Sequence, residues 1–248
     1  MGLRSVYYSA RSLMQYDPAC QKFVRRMLIA AIVIGYLAWT WVLKRPVYQM
    51  LYGKPTAEAL TITTDKIIDM PAQPVRRATV NGFDIDIQLR KQFVSTARIV
   101  YVDRYSWLGT WYRSRDGAKL YDHVVPLDVS TVSGKTAEVV SCFEFDHEYR
   151  FLFWRGTCSY RDEDVNNNHV IPATPNIQKG LDILRVGDIA RLEGYLVFWQ
   201  GTGKYAPYRF ESAVTLGEES PYIVNGTKAG LCRQLYLTKL SFDGYTFE

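Results

Sequence analysis

One stretch of the chain, Met27–Leu43 (MLIAAIVIGYLAWTWVL), is strongly apolar and free of charge. As a helix it rises roughly 26 Å, at the lower end of what crosses a bilayer. Arg25 and Arg26 close one side, Lys44 and Arg45 the other, and Trp39 and Trp41 stand near the exit, where amphipathic rings favour the headgroup layer. The pattern predicts a retained single-pass anchor. A cleaved signal peptide is the rival, but no small-x-small cleavage site follows and the run exceeds a usual signal core. A buried core helix with no polar face would need a large protein around it. The predicted layout is a cytoplasmic segment at 1–26, a transmembrane helix at 27–43, a proline-bearing juxtamembrane linker at 44–80, and an extracytoplasmic β domain at 81–248.

Beyond the anchor the period changes. The linker holds one short β-like stretch, Leu60–Ile68. Phe83–Leu89 (FDIDIQL) alternates strictly and predicts a half-exposed strand, and Ala97–Val102 reads as a central one. Trp107–Asp116 is an aromatic-polar loop or hairpin. Further strands are predicted at His123–Val129, Ala137–Phe145, Glu148–Arg155, Ile189–Trp199, Tyr208–Leu216 and Leu231–Leu240, with 145–148 as a turn. Arg161–Asn168 (RDEDVNNN) reads as a solvated loop. One helix is predicted from Pro175 to about Val186, with Thr174 as N-cap, Pro175 at the first position and Gly187 as the stop. Ile177, Leu181 and Leu184 give it one apolar face.

Seven or eight strands with one helix make a mainly β domain, either an OB-like small barrel or an antiparallel β-sandwich. Gly194, inside a long strand, marks the bend that lets a small barrel close and favours the barrel.

Charge refines the address. The chain carries a formal +5, from 30 Lys/Arg and 25 Asp/Glu. Residues 1–45 hold seven of those bases and one acid, leaving 23 bases against 24 acids beyond. The basic excess therefore belongs to the membrane-flanking segment, and the domain is nearly neutral. Five bases before the apolar run against three soon after it favour a cytoplasmic N-terminus and hence an extracytoplasmic domain, which in a bacterium means the inner membrane and the periplasm. A near-neutral domain disfavours nucleic acid as a partner.

Of four cysteines, Cys20 precedes the anchor and Cys142, Cys158 and Cys232 follow it. If Phe143–Asp146 and Tyr149–Trp154 pair as a hairpin, Cys142 and Cys158 sit near its open ends and a disulfide between them is feasible. No spacing suggests a metal site, and no cofactor is implied.

The stretch Asn166–Trp199 resembles the core of a family of uncharacterised bacterial proteins that are membrane-anchored or exported. Their motif is Asn-x-His-hydrophobic-Ile-Pro-Ala, then a short helix, Gly-Asp, and a strand with Gly-x-Leu-Val. Asn167, His169, Ile171, Pro172 and Ala173 match its first part; Gly187, Asp188, Gly194, Leu196 and Val197 match its second. Weaker similarity extends over roughly residues 70–240. The chain departs in two places: Asn166-Asn167-Asn168-His169 stands where the family usually has Ser-Ala-Asn-Met-His, and the family's tryptophan-glycine segment after a Pro-x-Asp is not recognisable. The resemblance implies location and fold, and no activity.

Three histidines limit the chemistry. His169, with Asn167 and Asp188 as orienters, is the best catalytic candidate, although a histidine fixing a strand-to-helix turn is the commoner case. No G-x-S-x-G supplies a nucleophile. Cys142, Glu144 and Asp146 share a strand face that His147 does not, and Gly201-Thr202-Gly203-Lys204 lacks the spacing of a phosphate loop. The expected function is that of a non-enzymatic envelope component that binds a protein, peptide or glycan, in a setting such as a secretion, conjugation or envelope complex. Trp107, Trp111, Tyr112, Trp199 and Tyr205 are the expected binding aromatics. The alternatives are a hydrolase or transferase centred on His169, and a single-strand nucleic-acid-binding OB domain.

Overall fold

The computed structural model describes residues 18–104, 123–134, 143–146, 151–154, 164–205, 209–211 and 231–248. The chain divides into two compact units, residues 1–48 and 49–248.

The helix α1 (Pro18–Ala38) runs into a π-helical turn, Trp39–Leu43, and then into α2 (Lys44–Tyr52). The helix thus overruns both ends of the Met27–Leu43 apolar run. The Lys44 N–H bonds back to Trp39 O, five residues earlier. Pro46 gives the physical reason for this widening. Its nitrogen has no hydrogen to give Val42, and its ring crowds that carbonyl, so the turn before it opens. Gln21–Tyr52, 32 residues, forms a helix long and apolar enough to span a membrane, and its apolar window is uncovered. Ile32 is 70% exposed and Trp41 73%.

The strands of the second unit are β1 (Lys54–Pro55), β2 (Lys66–Asp69), β3 (Arg76–Val80), β4 (Phe83–Arg104), β5 (Leu127–Val132), β6 (Phe143–Asp146), β7 (Phe151–Trp154), β8 (Val165–Pro172), β9 (Ile189–Gly201), β10 (Arg209–Glu211), β11 (Leu231–Phe242) and β12 (Tyr245–Phe247). Five of them close a ring. β4 pairs antiparallel with β5, β5 antiparallel with β8, β8 parallel with β11, β11 antiparallel with β9, and β9 antiparallel with β4. A helix, α3 (Pro175–Leu181), connects the third and fourth ring strands. This five-stranded Greek-key ring with its single parallel seam is an OB-type barrel.

Alternation along β9 separates the two faces. Ala190, Leu192 and Leu196 are buried, while Arg191, Glu193 and Tyr195 between them are partly exposed. The register carries the inward face through Leu235 and Leu237 on β11 and Phe93, Ser95 and Ala97 on β4. A register shift between Leu89 and Lys91 adds Arg90 to β4 and reverses its parity. Ile85, Ile87 and Leu89 therefore face away from the barrel axis. With Val197, Trp199, Val124, Val125 and Ile171 they form a second apolar core outside the barrel wall. One 22-residue strand thus serves two layers.

Gly194 has the role that its place in a long strand suggests. A Cβ there would stand 2.2 Å from the Tyr236 carbonyl oxygen, and the β11 register shifts between Leu237 and Lys239. Thr174 caps α3 by accepting from Ile177 N at 3.3 Å. The helix stops at Leu181, short of the expected 186, and Arg104 Nη2 donates to the Leu181 and Leu184 carbonyls at and beyond its end at 3.1 and 2.6 Å. The terminating glycine, Gly187, has φ +93.

Several expectations change. Residues 44–80, expected as a linker, hold α2 and three strands, with β2 and β3 paired to β4. The β-like stretch starts later than Leu60: β2 begins at Lys66, just after the buried Asp65. The expected solvated loop at 161–168 is strand from Val165 onward, with every described residue buried. The short helical turn at His123–Val124 precedes Pro126, so strand pairing begins only at Leu127. Two hairpins turn on Asn81-Gly82 and Asp243-Gly244, whose φ values are 49 and 83, and 51 and 74. These are type I′ turns. The β6–β7 hairpin pairs Phe143 with Trp154 and Asp146 with Phe151. Cys142 and Cys158 lie outside the described residues.

Candidate functional site

In an OB barrel, the outer wall of the second and third strands is the usual ligand platform. Here that wall is built by β5 and β8. Alternation presents Asp128 and Ser130 on β5, and Asn167 and His169 on β8, with Asp128 opposite His169 and Ser130 opposite Asn167. Gln234 on β11 continues the row beside His169. His169 Nδ1 lies 2.7 Å from Asp128 Oδ1, with the two side chains 5% and 0% exposed. Against a carboxylate acceptor, Nδ1 is the nitrogen that donates. Ser130 Oγ donates to Asn167 Oδ1 at 3.1 Å, and Trp199 Nε1 donates to Gln234 Oε1 at 3.0 Å.

A second polar cluster lies on the inward face. Asp65, from the segment ahead of β2, receives Arg233 Nη1 at 2.7 Å, Ser95 Oγ at 2.6 Å, and Asn166 Nδ2. The Arg233 and Asp65 side chains are 0% and 1% exposed. The Arg233 guanidinium also stacks over the Phe93 ring, 4.8 Å from its centroid. Burial pushes Arg233 below the ordinary arginine range, and the Asp65 charge and hydrogen bond pull it back.

No protein-family model, curated sequence or solved structure matches this chain.

The sequence-derived site is partly assembled. Asn167 and His169 do share one face. Asp188 joins the loop before β9, where its carboxylate accepts Arg185 N at 2.8 Å and its carbonyl accepts Ile99 N at 2.8 Å. Asp128, a residue of the second barrel strand, is the carboxylate that orients the imidazole instead. Its signal was its place in Pro126-Leu127-Asp128 on a predicted strand, two residues from Ser130 on the same face. Trp199 is 0% exposed and belongs to the outer core rather than to a binding surface. Tyr205 ends a short 3₁₀ turn, Gly203–Tyr205, between β9 and β10, so the glycine-rich segment there is a hairpin connection. Trp107, Trp111 and Tyr112 lie outside the described residues. Asp65 and Arg233 carried no motif, because nothing in sequence pairs positions this far apart.

Among the described residues no group of three His, Cys, Asp or Glu is placed to hold a metal ion. Apart from His169, the wall carries no basic or aromatic side chain among those residues. Asp128, Ser130 and Val132 face Val165, Asn167 and His169 there.

Proposed function

We propose that this chain is a single-pass membrane protein that displays an OB-type domain on the extracytoplasmic side as a binding module for a protein, peptide or glycan. The observation that carries the reading is the uncovered apolar helix at Gln21–Tyr52. An apolar surface of that length is stable in lipid and not in water. The excess of bases before it sets a cytoplasmic N-terminus. The described part of the β5–β8 wall carries no lysine, arginine, tryptophan, tyrosine or phenylalanine, which supports a partner other than single-stranded nucleic acid.

Full-length chain carrying alkaline phosphatase after Glu248 tests the orientation. Active phosphatase in a carbonate-resistant membrane fraction is the expected result; inactive phosphatase, or release by carbonate, overturns it. Crosslinking in native membranes then identifies the partner.

One observation favours a second reading, a hydrolase or transferase. The Asp128–His169 pair is the arrangement by which a carboxylate prepares a general base. His169→Ala separates the two. Lost activity at an unchanged melting temperature supports catalysis, and a fall of several degrees supports a structural pair.

A further inference from the structure

Among the described residues, four buried polar atoms of the barrel interior have no hydrogen-bond partner: Nε and Nη2 of Arg233, and Oδ1 of Asn166 and of Asn168. They belong to neighbouring side chains. Asn168 is the cross-strand partner of Arg233, and Asn166 stands two residues along the same face of β8. Asn166 and Arg233 also share Oδ2 of Asp65. All three residues are 0% exposed.

The amide orientations are fixed by their other bonds. Asn168 Nδ2 donates to Val129 O at 3.0 Å, and Asn166 Nδ2 donates to the Asp65 carboxylate. Both partners are acceptors, so a flipped amide would set oxygen against oxygen. The two Oδ1 atoms are therefore true acceptors in need of donors, and the Arg233 edge is a true pair of donors.

Charge and valence select what completes the set. Asp65 already neutralises Arg233, so any further ion would be buried without a counter-charge. An anion would suit the guanidinium edge and oppose the two amide oxygens. A cation would suit the oxygens and oppose the guanidinium. Nε and Nη2 present parallel N–H groups along one edge. A small neutral molecule that accepts two hydrogen bonds and donates two matches the valence of all four atoms, and water has that valence.

We propose that an ordered water binds inside the barrel, accepting from Nε and Nη2 of Arg233 and donating to Oδ1 of Asn166 and Asn168. It joins Asp65, the β8–β11 seam and the Phe93-stacked guanidinium into one closed hydrogen-bonded unit.

Two measurements on the full chain in detergent test this. A crystal structure that resolves ordered solvent is expected to show a peak about 3 Å from Arg233 Nε and Nη2 and from both amide oxygens. Direct bonding of Arg233 to Asn166 or Asn168 with no such peak overturns the proposal, as does density for an ion or a larger molecule. Water-¹⁷O magnetic relaxation dispersion counts long-lived internal waters in solution. The folded Asp65→Leu/Arg233→Met double variant is expected to hold at least one fewer, and an unchanged count overturns the proposal.

Discussion

Replacing Asp65 with alanine removes the only carboxylate bonded to Arg233 among the described residues. The guanidinium is 0% exposed in the intact protein, so bulk solvent does not supply the lost counter-charge. Removing one partner of a buried pair costs about 3–5 kcal/mol, because the remaining charge is left uncompensated. Ser95 Oγ and Asn166 Nδ2 each lose an acceptor as well, which places the loss toward the upper end of that range. A domain of this size loses about 2–4 °C per kcal/mol, so the melting temperature should fall by roughly 10 °C or more. Thermal unfolding of the full chain in detergent, followed by circular dichroism, reads this directly. The Asp65→Leu/Arg233→Met double variant should recover much of the loss, since apolar groups of similar volume replace both charges. The reasoning fails if Asp65→Ala melts within about 2 °C of the parent. It fails equally if the effects of the two single changes simply add in the double variant.

Gly194→Ala places a Cβ against the Tyr236 carbonyl, a backbone atom that cannot move without breaking the β9–β11 pairing. The expected cost exceeds about 4 kcal/mol, seen as loss of folded protein, and a variant with parental melting would refute it. Thr174→Ala removes the α3 cap and should cost about 1 kcal/mol, with Thr174→Ser restoring most of it in denaturant titration. Burial, with Asp103 and Asp128 adding to it, pushes the Tyr101 phenol above its ordinary value; burial also raises Tyr236, against a smaller opposing effect of Arg76. A raised folded-state value means stability fully present below about pH 10 and lost as pH rises through the folded-state value. Tyrosinate absorbance at high pH should show these two phenols lagging the rest, and titration at the ordinary pH would count against their burial.

Much of the fold was legible because its signals are local. The α3 cap, the alternation of Phe83–Leu89, the Gly194 bend and the β6–β7 hairpin each follow from residues a few positions apart. The two I′ turns, Asn81-Gly82 and Asp243-Gly244, carry equally local signals that the strand reading passed over, and with the second it missed β12. What misled was polarity. Val165–Asn168 resembles solvent loop, yet three consecutive asparagines lie in a buried central strand. Ser130, Thr131 and Asp65, drawn from β5 and the segment before β2, give their amides partners. Buried polar residues are permitted when hydrogen-bonded, and only the folded arrangement brings those partners. Phe83–Leu89 and Ala97–Val102 looked like two strands because a bulge at Arg90 reverses their parity.

The sequence by itself determined the membrane-length apolar helix, the β character of the rest, and the positions where glycine, proline and threonine shape the chain. These depend on hydrophobic period and backbone sterics, which act within one element. Tertiary structure alone decided ring closure through the parallel β8–β11 seam, the pairing of Asp65 with Arg233, and the choice of Asp128 over Asp188 as the partner of His169. Each of those joins residues far apart in the chain. Their energies depend on burial and exact distance, which no local pattern records.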